Sequence, residues 1–342
     1  MIVFFLVIAL LCLWGFGFRR EADGDYLSRQ QGDSVKGIFI LMVFLFHANS
    51  YVQEAGYAYA HWTDAVFLDL CAKFGQLIVV MFLFFSGYGV MSAIRNKGAA
   101  YVQAMPRHRI LTVLVNFDVA VVIFAVLQLL LGRVFPVNRY LLSLVGWEQI
   151  GNSNWYIFVI LVCYAVTWLS ALICKSGYKM LIISVLLLSA FYAVLVHCKE
   201  PHWYNTMVAY PLGMAAGLWK DRLDKLQKTP GYWVALVLGF LGLALTYIHH
   251  EDPVGLVHSF RSVVFAVVMV LLLMKVKVGN PVLDWAGKNL FLLYIFHRFP
   301  MILLSHFDPW GITAGHPVLF VLISFALTLV IVPIVRRIQV RL

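Results

Sequence analysis

Lys36-Gly37-Ile38-Phe39-Ile40-Leu41-Met42-Val43-Phe44-Leu45-Phe46-His47 is an apolar run with a cation at one end and an imidazole at the other. A helix rises ~1.5 Å per residue, so eleven steps carry the imidazole ~16 Å from the lysine, about halfway through a ~30 Å hydrocarbon core. An unpaired polar group in hydrocarbon costs several kcal/mol. His47 therefore serves either chemistry or helix packing through a hydrogen bond to a neighbouring helix, and the run alone leaves both open.

The rest of the chain has the same character. Hydrophobic residues make up 62% of it and charged residues only 12%, with a mean hydropathy of +0.87, outside the range of soluble domains. Windows long enough to span a bilayer recur at 2–18, 37–52, 76–94, 110–131, 154–174, 179–197, 204–219, 231–248, 257–274, 286–304 and 317–335. The expectation is an all-α polytopic membrane bundle of about eleven transmembrane helices. The longest connections, 53–75 and 132–153, cannot enclose a soluble core, so the activity belongs to the helices and their short loops. The window 2–18 lacks a basic leader and a small-residue cleavage pattern, and Arg19-Arg20 follow it, so it reads as a retained helix rather than a signal peptide.

A net charge of +10 raises the question of nucleic acid, but the charge is distributed for a membrane. Alternate connections hold 20 of the 26 basic residues, all but Lys73, Arg133, Arg139, Lys199, Arg261 and Arg298. By the positive-inside rule, the N-terminus lies outside, the C-terminus is cytoplasmic, and Lys36 is at the inner face. The five cysteines show no metal spacing, and only Cys71 and Cys198 fall on the outer side, where a disulfide could form.

Depth, counted from the inner ends of the helices, groups four polar side chains. His47, Asp118, His297 and Ser86 each lie nine to eleven residues from Lys36, Arg109, Lys288 and Arg95, or ~13–16 Å into the membrane. A carboxylate beside an imidazole would fix its tautomer and favour its protonated form, as a general base requires. The same residues also suit plain helix packing. At the inner face Arg95, Arg107 and Arg109 crowd one connection, arranged either for phosphate or as ordinary positive-inside charge. At the outer face Asn154-Trp155-Tyr156 opens a helix, as an interfacial belt or as a platform for sugar rings.

In this order the segments resemble the family-three membrane acyltransferases of bacteria, which modify cell-surface glycans with acyl groups from acyl-CoA. Lys36-Gly37-Ile38 leading to His47 is similar to the family's basic residue and catalytic histidine, ten residues between them. Phe84-Phe85-Ser86-Gly87-Tyr88-Gly89 resembles its FFxSGY segment, and Arg107-His108-Arg109-Ile110 its arginine pair, thought to face the donor. Trp155-Tyr156-Ile157, Tyr210-Pro211-Leu212-Gly213-Met214 and Gly287-Lys288-Asn289-Leu290, running on to Tyr294 and His297, resemble later segments. The likeness runs from Asp33 to about Ile338. Residues 33–342 would thus be the membrane acyltransferase domain of ten helices, and 1–32 an additional helix with its cytoplasmic connection.

The resemblance implies an O-acyltransferase of the bacterial cytoplasmic membrane that uses acyl-CoA, acetyl-CoA by family frequency, as co-substrate and needs no metal. His47 would be the base, with Asp118, His297 and Ser86 in support. Lys36, Arg95, Arg107 and Arg109 would hold the donor, and Asn154, Trp155, Tyr156 and Tyr88 a glycan or glycolipid acceptor. Membrane lipids are expected partners and nucleic acid is not. A covalent acyl-histidine remains open as a variant. Two departures stand out: Val80 replaces an acidic residue of many members, so Asp118 or Asp69 would supply any carboxylate, and Asn116 replaces a proline. No SGNH-type domain is expected after the last helix. The rival from another class is a transporter or flippase that uses the buried histidines as a proton relay, although no inverted repeat is visible.

Overall fold

The computed structural model describes residues 1–20, 25–248, 255–308, 310–340 and 342. Eighteen helices follow one another among them. The first nine are α1 Val3–Leu13, α2 Arg29–Glu54, α3 Trp62–Phe74, α4 Leu77–Lys97, α5 Ala99–Met105, α6 Thr112–Leu130, α7 Val137–Leu144, α8 Trp155–Ile173 and α9 Gly177–Cys198. The rest are α10 Ala209–Leu218, α11 Lys220–Leu226, α12 Gly231–Leu245, α13 Leu256–Lys275, α14 Pro281–Lys288, α15 Leu290–Phe296, α16 Arg298–Phe307, α17 Ile312–Gly315 and α18 Pro317–Arg336. A π-helical turn, Pro106–Leu111, joins α5 to α6. The strands β1 Gly17–Phe18 and β2 Val276–Lys277 pair antiparallel.

Eight continuous or nearly continuous helical stretches among the described residues are long and apolar enough to cross a membrane. Each of the eleven expected windows contains a helix, but three of those helices are shorter than a span. α1 stops at Leu13 because Gly15 takes a positive φ of 90° and the backbone then turns into β1. α10 has only 10 residues, ~15 Å of helix, and is sheathed in protein, where a partial span leaves no backbone exposed to lipid. α12 has 15 residues and meets α11 at a bend of 99°.

Two glycine seams hold the bundle. Gly37 of α2 lies against the carbonyl of Leu283 in α14, and Gly287 of α14 against the carbonyl of Asp33 in α2, each so close that a Cβ would overlap the oxygen. Gly87 of α4 and Gly213 of α10 repeat the arrangement against the carbonyls of Tyr210 and Phe84. In lipid, helices gain from packing rather than from hiding apolar surface, so removing Cβ atoms is how they come this close. Helix ends are fixed locally: Ser28 accepts from Gln31 N at 3.3 Å to start α2. Asn280, followed by Pro281, accepts from Val282 N and Leu283 N, both at 3.0 Å, to start α14.

The N-terminal segment is stitched to this core rather than appended to it. Asn280 Nδ2 donates to the carbonyls of Leu11 at 2.7 Å and Trp14 at 2.9 Å. Arg19 donates through Nε to Leu273 O at 3.1 Å and through Nη2 to Gln31 Oε1 at 2.9 Å. The five cysteines are free thiols, so Cys71 and Cys198 are not bridged.

Candidate active site

α2 and the α15–α16 junction bring His47 and His297 together. Their rings stack with centroids 4.7 Å apart and planes 10° from parallel, and His47 Nδ1 lies 2.5 Å from His297 Nε2. His297 is 1% exposed, and its Nδ1 lies 2.7 Å from the carbonyl oxygen of Leu293, one turn back. A carbonyl can only accept. Nδ1 of a neutral His297 therefore carries its proton and donates, its Nε2 is the acceptor, and His47 Nδ1–H donates to it. The lone pair of His47 is thereby left on Nε2, outside the pair. This ring is half-buried whereas its partner is sealed.

The group in contact with His47 is thus a second imidazole. Asp118, on α6, forms no hydrogen bond to either histidine, and its Oδ1 is buried without a partner. Of the four polar groups at equal depth, only the two histidines are in contact. Ser86 connects to the pair indirectly, through tyrosines. Its hydroxyl neighbours those of Tyr156 and Tyr164. The Tyr156 ring meets Tyr294 edge-on at 5.2 Å, and Tyr294 lies 6.4 Å from the His297 ring.

The seam continues to the basic face. Arg109 Nε donates to Tyr101 Oη at 3.0 Å, and its guanidinium lies 6.0 Å from the ring centres of both Tyr101 and Tyr164. Arg107 is exposed two residues earlier. Both belong to the π-helical turn, a distortion often found at functional sites. Thr112 Oγ1 supports it by donating to Arg107 O at 2.8 Å. The other two cations are differently engaged. Lys36 Nζ lies 2.8 Å from Asp33 Oδ1. Arg95 caps α10, donating from Nη1 to Gly217 O at 2.7 Å and Leu218 O at 3.2 Å, with Asp221 at 3.9 Å.

The four residues expected around an acceptor are dispersed. Trp155 and Asn154 line an outer-face cavity of about 570 Å³, walled also by Trp147 and Trp203. Asn154 itself is buried, its Nδ2 donating to Gly146 O at 2.8 Å. His202 lines the same cavity, where burial pulls its pKa down against the opposing pull of Glu200 at 3.2 Å. Tyr156, in contrast, is turned inward onto the tyrosine seam. Tyr88 belongs to the opposite face, its hydroxyl 3.5 Å from Asp25 Oδ2.

One residue beside the pair was not singled out by its sequence. Arg298 follows His297, and its guanidinium lies 5.7 Å from the ring centre of Tyr51, one turn beyond His47 on α2. Its Nε is buried without a partner, and Nη1 reaches Gln149 Oε1, on the outer cavity, at 3.4 Å. Counted from Lys288, Arg298 lies as deep as His297, and the contact with Tyr51 reveals its place. Among the described residues no group of three or more His, Cys, Asp or Glu is arranged to hold a metal ion.

Residues 31–337 match the model of acyltransferase family 3, described as an acyltransferase domain. The chain belongs to that family. No curated protein and no solved structure gives a significant match. It is accordingly a multi-pass membrane protein of an acyltransferase family, and the matched span begins inside α2, after the N-terminal segment.

Proposed function

We propose that this protein moves an acyl group, an acetyl group in the simplest case, from acyl-CoA on the basic, cytoplasmic face of a bacterial inner membrane to a hydroxyl of a cell-surface or lipid-linked glycan. The observation that carries the reading is the histidine pair, whose hydrogen bonding leaves His47 with a free Nε2 lone pair next to a buried partner.

In the reaction, His47 Nε2 takes the proton of the acceptor hydroxyl as its oxygen attacks the thioester carbonyl. The tetrahedral intermediate collapses with cleavage of the C–S bond, and the imidazolium returns the proton to the departing CoA thiolate. His297 holds the His47 tautomer throughout. General base assistance of this kind is worth about 10²- to 10⁴-fold in rate. Arg107 and Arg109, together with Lys36, bind donor phosphates. Arg109, Tyr164, Ser86, Tyr156 and Tyr294 form a packed seam between the basic face and His297, and in this reading the pantetheine arm runs alongside it.

His47→Ala protein, purified and matched to the parent in gel filtration, should release free CoA at a rate lower by about 10²- to 10⁴-fold in the presence of glycan acceptor. Undiminished release would overturn the assignment of the base.

A further inference from the structure

The largest of the cavities described, about 1000 Å³, is not on this path. It opens on the basic face in the elbow between α11 and α12, where the two helices meet at 99°. None of Lys36, Arg95, Arg107 and Arg109 lines it. Four of its lining residues, Arg19, Arg20, Asp25 and Tyr26, precede the span matched by the acyltransferase family, so the cavity lies where this N-terminal segment meets the domain.

Among the described residues Lys220, Lys228 and Lys275 line it beside Asp25 and Asp224, and Arg19 and Arg20, which have partners of their own, complete the wall. Both carboxylates are taken by one cation: Lys220 Nζ is 3.2 Å from Asp25 Oδ1 and 2.5 Å from Asp224 Oδ1, over the ring of Tyr26. Lys275 donates to Gln227 O at 3.1 Å, which positions its ammonium group without neutralising it. Lys228 and Thr229 occupy the elbow itself, exposed.

The cavity is also continuous with lipid-facing surface. Trp233, on its rim, is 61% exposed and leads into a stripe on α12 formed by Val234, Val237, Leu238, Leu241 and Leu245, each more than half exposed. Phe18, immediately before Arg19, is 77% exposed. A soluble anion would need the cations alone. A polar basic recess that runs into an apolar strip, rimmed by tryptophan at the membrane–water boundary, fits a molecule with a phosphate at one end and acyl chains at the other.

We propose that this cavity is a binding site for the headgroup of an anionic phospholipid of the inner leaflet, its phosphate held by Lys228 and Lys275 and its chains lying along α12. The site is independent of the acyl-transfer reading.

The test is a titration of the full-length protein in detergent with phosphatidylglycerol, read by native mass spectrometry, with phosphatidylcholine in parallel. Each cation at a membrane surface contributes about fivefold in affinity, so Lys228→Gln with Lys275→Gln should weaken phosphatidylglycerol binding about thirtyfold. Lys175→Gln with Lys179→Gln, which removes equal charge from exposed positions on the same face, should leave it unchanged. Lys228→Gln alone, at an exposed side chain, should cost about fivefold and stands in if the double variant fails to fold. Equal binding by parent and K228Q/K275Q, an equal loss in the Lys175 and Lys179 control, or equal affinity for phosphatidylcholine would overturn the proposal. Displacement of the lipid by free coenzyme A would also overturn it, assigning the cavity to the donor's phosphates.

Discussion

The histidine pair and the arginine turn sit in the same bundle but are built on opposite terms. On the histidine side, α2 is held to α14 by two glycine–carbonyl contacts ~15 Å or more along the helix from His47, and His297 is held by Leu293 O and by its partner ring. Around Arg107 and Arg109 the helix is loosened into a π turn, one guanidinium is exposed, and the other rests on tyrosine faces. Proton transfer demands heavy atoms placed within a few tenths of an ångström, whereas capturing a long, flexible donor through its phosphates tolerates adjustment. Under the proposed function, the rigid half would set rate and the adaptable half donor affinity.

The sharpest way to break this division, after His47→Ala, is His297→Phe, which keeps an aromatic ring against His47 but removes the acceptor nitrogen. Without it the His47 tautomer is no longer fixed, and kcat should fall about 10²-fold with KM for the donor unchanged. A parent-like kcat would show that the second imidazole only fills space. Gly37→Ala tests the rigidity directly. Its Cβ would overlap Leu283 O, and forcing α2 from α14 should cost about 1–3 kcal/mol, seen as a lower melting temperature in detergent and a lower kcat. An alanine tolerated on both counts would mean that the seam is softer than its geometry.

Arg109→Lys addresses the adaptable half. Lysine keeps the charge but loses the planar donor set and the stacking on Tyr101 and Tyr164, so KM for acyl-CoA should rise about tenfold while kcat is retained. A fall in kcat alone would merge the two halves and place Arg109 in the chemical step.

The bundle was legible in the sequence, whereas the contrast within it was not. Hydropathy and alternating basic loops yield the helical bundle because lipid admits little else. The short segments Phe84–Gly89 and Tyr210–Met214 look like separate signatures along the chain, yet they are the two sides of one seam. Lys36-Gly37 and Gly287-Lys288 are likewise the two sides of another. His47 and His297 could be placed at one depth by counting, but depth is one coordinate of three. Rotation about each helix axis decides which groups meet, and it is set by packing among residues that all read as apolar. For the same reason Arg95 and Arg109 look equivalent as cations in the sequence, while one caps α10 and the other joins the tyrosine seam. Arg298 could have been noticed only from its adjacency to His297.

The smallest effect is expected at Asp118, and it bears most directly on how the base is supported. An aspartate in contact with a general base would give losses of tenfold or more when converted to the amide, because the imidazolium would lose its counter-charge in a dry site. Here Asp118 makes no hydrogen bond to the pair, and its Oδ1 has no partner. Asp118→Asn replaces that carboxylate with a neutral group of the same shape, so kcat should stay within about threefold of the parent and thermal stability should hold or rise slightly. The readout is CoA release under saturating donor and acceptor beside a melting curve in the same detergent. If the amide instead abolished transfer without loss of fold, the carboxylate would have to approach His47 during turnover, and the rigid half of the site would be less rigid than the resting structure.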